Sequence, residues 1–239
     1  MTHFPARALL AATLLLTCIA PALAGVIING TRVVYPAQAR EVTVQLTNTG
    51  DSPALVQAWI DSGDPDQAPE DSAAPFLITP PISRIEPARG QALRIIFAGE
   101  ALPPQRESVY WLNVLEVPPA PEAGAEQNYL QVAFRSRVKL FYRPQGLPGT
   151  ANEAPAALQW RREGGALQVS NPTPFHVTVV ELRALGADGT ALATLEERGR
   201  MLAPGEKARW AVDGAVRQVA FTTVNDYGGR AEYTSAVGP

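Results

Sequence analysis

Short runs of Val, Ile, Thr and aromatic residues, alternating apolar with polar and broken by Gly, Pro, Asn and Asp, recur along most of the chain. A two-residue period sends successive side chains to opposite faces, so such runs fold as half-buried β-strands. Val42, Val44 and Leu46 alternate with Thr43, Gln45 and Thr47, and Asn48 to Ser52 supplies a turn. Leu55 to Ile60, with a tryptophan at Trp59 of the kind buried in a sandwich core, Leu93 to Phe97 and Val109 to Val117 continue the pattern. No stretch carries a helical period, and 22 prolines oppose long helices. Many short strands separated by turn residues read as an all-β chain built from β-sandwiches.

The first 24 residues read as an export signal that is removed. Arg7 gives the positive start, Ala8 to Ala20 the apolar stretch, and Ala22-Leu23-Ala24 the small-x-small cleavage pattern. The apolar stretch is shorter than the roughly 20 residues a membrane span needs, and no later segment approaches that length, so no direct membrane insertion is expected. Cys18, the single cysteine, leaves with the signal; Leu15-Leu16-Thr17 before it makes a poor lipobox. Residues 25–239 suit two domains of about 100 residues each. The longest strand candidate, Asn128 to Tyr142, runs into Arg143-Pro144 and the Pro/Gly-rich Gln145 to Gly149. That places the boundary between a domain at 25–146 and one at 147–239. Shorter strand candidates follow at Leu158–Arg161, Ala166–Ser170, His176–Leu185, Val216–Thr223 and Arg230–Ser235. Pro118 to Gln127 reads as a Pro/Ala/Gly/Glu loop.

The inventory for catalysis is nearly empty. His3 leaves with the signal, so His176 is the only imidazole, and its place in an alternating run points to a surface or half-buried strand position. One histidine and no retained cysteine exclude the usual transition-metal sites, and no metal or cofactor is expected. Asp61, Asp64, Asp66, Glu70 and Asp71 lack the spacing of a calcium loop and read as a solvated segment. There is no Gly-rich phosphate loop or nucleophile elbow. A formal net charge of −3 without a basic run leaves no electrostatic footprint for nucleic acid.

The Asn128–Tyr142 strand is the most informative segment. Leu130, Val132 and Phe134 share one face with Val138 and Leu140, while Arg135, Arg137 and Lys139 occupy the other. On pattern alone the apolar set fills the domain's own core; alternatively it lies on an accessible edge that exists to be paired.

Motifs spread in order over nearly the whole chain sharpen this. They include Thr31-Arg32-Val33-Val34-Tyr35, Gln57-Ala58-Trp59-Ile60, Thr79-Pro80-Pro81 with Arg84-Ile85-Glu86-Pro87, and Arg106-Glu107-Ser108. Further on come Trp111-Leu112-Asn113-Val114, Glu116-Val117-Pro118-Pro119, Val138 to Pro144, Asn171-Pro172-Thr173-Pro174 and Asn225-Asp226-Tyr227-Gly228-Gly229. In these segments the sequence resembles the periplasmic pilus-assembly chaperones that serve outer-membrane ushers, in their short-loop branch. The resemblance implies two immunoglobulin-like domains arranged as an L, with a subunit gripped in and beside the interdomain cleft. It implies that Leu130, Val132 and Phe134 enter the groove of a pilus subunit, completing its sandwich by donor-strand complementation in a one-to-one complex. It also implies that Arg32 and Lys139 bind the subunit's C-terminal carboxylate, and that Glu116, Arg143 and Asp226 form an interdomain ionic network. The free chain could cover its donor strand by self-association. Two other readings fit a sandwich: a pilus subunit or adhesin, and a carbohydrate-binding module. Subunits usually carry a cysteine pair and a free N-terminal extension, and aromatics here make up 7% of the chain.

Overall fold

The computed structural model describes residues 25–99, 102–119, 131–196 and 198–238, so the signal assigned to residues 1–24 lies outside it. Nine strands come first: β1 (Val26–Ile28), β2 (Arg32–Pro36), β3 (Val42–Asn48), β4 (Ala54–Asp61), β5 (Phe76–Thr79), β6 (Ile82–Ile85), β7 (Gly90–Phe97), β8 (Ser108–Val117) and β9 (Phe134–Arg143). They form two sheets, ordered β1-β3-β7-β5 and β2-β9-β8-β4-β6. A second set follows: β10 (Gln159–Glu163), β11 (Ala166–Ser170), β12 (Val177–Leu185), β13 (Ala191–Glu196), β14 (Arg200–Leu202), β15 (Lys207–Ala211), β16 (Gln218–Val224) and β17 (Arg230–Ala236). These give a β10-β11-β15 sheet and a β13-β12-β16-β17 sheet, with β14 also on β12. Among the described residues the helices are two short 3-10 turns, and none is long and apolar enough to cross a membrane.

The alternation expected from sequence is visible as burial. Along β3, Val44 and Leu46 are buried while Thr43 and Gln45 are exposed, because one face of a sandwich sheet packs on its partner and the other meets water. Tyr35, Leu46, Leu93, Ile95, Leu112 and Leu140 centre the first core. The buried hydroxyl of Tyr35 donates towards the carbonyls of Ala39 and Arg40 (3.0 and 3.1 Å) and accepts the Phe97 N–H at 3.1 Å. The second core gathers Trp160, Leu167, Val169, Val179, Leu182, Leu202 and Phe221.

Trp59 departs from expectation. It is buried at 8% exposure but stands outside the first core, which takes Val56, Ala58 and Ile60 from β4 instead. Period-two geometry puts Trp59 on the other face with Gln57 and Asp61. Asp61 likewise leaves the solvated segment assigned to it. Its carboxylate is buried, with Arg137 Nε at 2.9 Å, Arg137 Nη2 at 2.5 Å and Asn113 Nδ2 at 2.6 Å. The Arg137 guanidinium lies 4.6 Å over the Trp111 ring. This cluster ties β4, β8 and β9 together on the face opposite Val138 and Leu140. Burial alone would raise the Asp61 carboxyl pKa, but the hydrogen bonds from Arg137, Asn113 and Gly63 outweigh it and hold it below the ordinary aspartate value.

The two sandwiches meet at Arg143, the last residue of β9. Its guanidinium reaches Asp226 through Nη1 at 2.7 Å and Nη2 at 2.9 Å, and Glu107 through Nε at 2.6 Å. Glu107 is buried to 1% side-chain exposure and also accepts the His176 N–H at 2.8 Å. The His176 ring, just ahead of β12, packs 5.6 Å from Phe141, with Nδ1 at 3.2 Å from Glu107. Burial opposes the Arg143 charge, and the bonds and charges of Asp226 and Glu107 overcome it, lifting its pKa above the ordinary value. Gly228, at φ +83°, follows Asp226 in a turn pressed so closely on Thr31 that a Cβ would stand 2.5 Å from the threonine hydroxyl. Only glycine accepts both that backbone and that approach.

The sequence-based assignment of Glu116 to this network is corrected here. Glu116 lies near the far end of β8, where its Oε2 accepts the Val26 N–H at 2.8 Å, and Glu107 is the carboxylate that meets Arg143.

Removing one partner of a buried pair strands the other charge, so Glu107→Ala is expected to cost about 3 kcal/mol in chemical denaturation. Acid should act through Asp61. A carboxyl whose folded pKa lies below its unfolded value contributes stability above the unfolded pKa, and loses it as pH falls through the folded one. Unfolding followed from pH 6 downward should show the first domain weakening below about pH 4, and Asp61→Asn should flatten that slope.

Candidate functional site: an open strand edge ending at two cations

β9 is ten residues long, and β2 pairs only with its second half, from Arg32↔Lys139 to Pro36↔Arg143. On the other side β8 pairs with β9 along its length, from Ser108↔Tyr142 to Glu116↔Phe134. Among the described residues, Phe134 to Val138 therefore have a neighbour on one side and an open edge on the other. That edge is about 17 Å long at roughly 3.3 Å per residue. Its even-numbered face changes character along the strand: Leu140 and Tyr142 are buried in the core, Val138 packs against it, and Phe134 is 65% exposed. Val132, just before the strand, is 43% exposed, and Leu130 lies outside the described residues. Within the described residues the strand expected from Asn128 begins at Phe134, and residues 128–130 of that expectation lie outside them. Pro118 and Pro119 follow β8 and have no N–H to offer a partner, which limits the ladder beyond Glu116.

At the inner end of this edge the parallel register brings Arg32 and Lys139 side by side. Arg32 Nη1 donates to the carbonyl of Val224 in the second domain at 3.0 Å, while its Nε is buried without a partner among the described residues. Burial lowers the Arg32 pKa, and nearby Asp226 partly offsets this. For Lys139 burial comes first and the Arg32 charge second, and both lower its pKa. Among the described residues no carboxylate forms an ion pair with Lys139, and Asp226 is committed to Arg143. The pair is therefore a half-buried positive site, under-compensated from within the molecule and suited to a carboxylate.

Of the sequence-derived site residues, the structure brings Arg32 and Lys139 together and joins Arg143 to Asp226. It leaves Val132 and Phe134 bare and puts Glu116 elsewhere. Sequence reasoning missed Glu107, although Arg106-Glu107-Ser108 was among its motifs, and it missed the Asp61–Arg137 brace and the Val224 carbonyl. A backbone carbonyl leaves no side-chain signal. The brace could have been sought by pairing the acid that ends one strand with the arginines of another.

Comparison with known proteins follows the same architecture. Residues 25–148 match the family described as "Pili and flagellar-assembly chaperone, PapD N-terminal domain", and residues 153–235 match "Pili assembly chaperone PapD, C-terminal domain". The chaperone protein FimB/FhaD of Bordetella pertussis is 44% identical over 233 residues, covering 93% of each chain. The Pseudomonas aeruginosa CupB2 chaperone has a similar structure, with a TM-score of 0.77 and 40% identity over 89% of this chain and 100% of its own. A chain of the Salmonella enterica SafA pilin–SafB chaperone complex gives a TM-score of 0.74 at 28% identity, covering 91% of this chain and 98% of that one. With both sandwiches matched and relatives similar across nearly its whole length, the chain belongs to the two-domain pilus-assembly chaperone family.

Proposed function

We propose that this chain is a non-enzymatic periplasmic chaperone, with domains at 25–146 and 147–239, that holds a pilus subunit one-to-one and delivers it to an outer-membrane usher. The observation that carries this reading is the open Phe134–Val138 edge ending at Arg32 and Lys139. Donor-strand complementation is an established mode of recognition in which main-chain hydrogen bonds give affinity and alternate side chains give specificity. The geometry favours one polarity for the guest. A guest strand lying on the open edge occupies the line that β2 takes up at Arg32. Its carboxyl end meets the two cations only if it runs parallel to β9; an antiparallel guest would bring its amino group there, against like charge. A C-terminal carboxylate occurs once per chain, so it also sets the register.

Val132 and Phe134 then enter the guest's unfinished core, with Leu130 proposed as a third residue of the same set. Burying each such side chain is worth up to about 1.5–3 kcal/mol before ordering costs. Opposing faces of one strand divide the labour. The Asp61–Arg137–Asn113 brace holds it to its own sheet, and the apolar face is presented to the guest.

Co-expression with the neighbouring subunit genes tests the anchor. Lys139→Ala should keep the chaperone folded and lose the one-to-one complex from periplasmic extracts; equal recovery with the variant would sink carboxylate anchoring. The donor face is tested separately by Phe134→Asp. Phe134 is 65% exposed but lies directly opposite Glu116, so this change should cost about 1 kcal/mol of stability and leave the chaperone folded. Recovery of the subunit should nevertheless fall sharply, since a charge cannot enter an apolar groove unpaired.

A further inference from the structure

Glu116 has a different task from the one its motif implied, and the residues around it define a small site. Its Oε2 accepts the Val26 N–H at 2.8 Å. Gly25 lies so close that a Cβ on it would stand 1.8 Å from Glu116 Oε1. On its other side the Gly25 carbonyl accepts the Thr49 N–H at 2.9 Å and the Thr49 hydroxyl at 3.1 Å. Gly25 is thus clasped between Thr49, the residue after β3, and Glu116 of β8, and a side chain there would push the carboxylate off its bond to Val26.

Hydrolysis of the Ala24–Gly25 amide by water would leave a carboxylate on the departing Ala24 and a primary ammonium on Gly25. That nitrogen is one bond from a Cα already packed against Glu116. We propose that Glu116 is the binding site for the α-ammonium that signal cleavage creates on Gly25, with Oε1 taking the ammonium and Oε2 keeping the Val26 N–H. The inference rests on the exported reading of the chain and not on strand donation.

The position gives the pair a structural consequence. Val26 opens β1 in the four-stranded sheet, whereas Glu116 belongs to β8 in the five-stranded sheet. The clasp therefore ties the two sheets of the first sandwich together. It does so at the end where β9 begins, since Glu116 is paired in register with Phe134. A cavity of about 190 Å³ there is lined by Gly25, Asp51, Glu116, Pro118, Val132 and Phe134. Of its two carboxylates, Asp51 is exposed and accepts from the Ser52 hydroxyl at 3.3 Å, so Glu116 is the one positioned by the chain's first strand. A charge-assisted ammonium–carboxylate bond is stronger than the amide contact available before cleavage. The clasp is completed by maturation.

The intact mass of the protein purified from periplasm should correspond to a chain starting at Gly25. That chain is then melted beside a form with one alanine added ahead of Gly25, each with and without Glu116→Gln. The added residue should lower the first domain's Tm by about 2–4 °C when Glu116 is present. It should have little effect in the Glu116→Gln background, and Asp51→Asn should leave the drop intact. A mature start elsewhere, or an equal drop in both backgrounds, overturns the proposal. If Glu116→Gln does not fold, acylation of the α-amine by an N-hydroxysuccinimide ester reads the same contact. The reaction should be slower in the folded chain than in urea, and equal rates overturn the assignment. Subunit capture enters none of these measurements, so failure of strand donation and failure of the clasp remain distinguishable.

Discussion

The parallel pairing of a five-residue strand with a ten-residue one governs the molecule. Because β2 covers only the second half of β9, the first half has one row of backbone donors and acceptors without a strand partner among the described residues. An open edge of this kind invites pairing with any extended chain, which soluble proteins ordinarily prevent by shortening, charging or covering it. Here it is preserved and closed at one end by Arg32 and Lys139. The same register that ends the pairing with β2 places the cations side by side, so edge and anchor arise from one alignment of two strands.

The second sandwich matters to this edge through a few contacts of defined geometry. Arg143 carries β9 directly into the interdomain contact, where Asp226 and Glu107 hold its guanidinium in three hydrogen bonds. Arg32 reaches across to Val224, two residues before Asp226. Rotating one domain against the other would break both links and move Asp226 relative to the two cations. Such a cluster adds little net stability, since desolvation offsets most of its Coulomb attraction. Its effect is to fix the electrostatics at the end of the edge: Asp226 bound to Arg143 cannot also neutralise Lys139.

Periodicity made the fold class legible, because alternation reports a sheet face wherever one side is wet. It misled where both parities were apolar. In Ala54-Leu55-Val56-Gln57-Ala58-Trp59-Ile60 the largest side chain drew the core assignment, yet the small even-numbered residues face the core and Trp59 lies opposite. Ala191–Glu196, with little burial, gave no clear alternation to read, whereas Lys207–Ala211 does alternate but is only five residues long and has a small alanine as its buried residue. At the site, the cations and the apolar set were visible as residue types. The point at which β9 loses its neighbour was not, because it depends on where a strand more than a hundred residues earlier begins. The same limit explains Glu116: two carboxylates of one strand region were available to Arg143, and only the direction of β8 decides that Glu107 lies beside it.

A strand that must stay open also needs a reason not to pair indiscriminately. Its outward charges supply part of that reason. Arg135 is exposed, and Arg137, though braced by Asp61, keeps its guanidinium over Trp111 on the face away from Phe134. A second copy of the chain adding edge to edge would bring Arg135 towards its own image, whereas Arg137 is already paired with Asp61. A guest with a free carboxylate at the right end instead finds its charge complemented. On the proposed reading, selectivity would come less from the apolar face, which any groove could accept, than from the positive end at Arg32 and Lys139 together with the exposed Arg135. Like-charge juxtaposition at the flank penalises the wrong partner while attraction at the anchor rewards the right one. On that reading an exposed Phe134 can persist without committing the chain to aggregation.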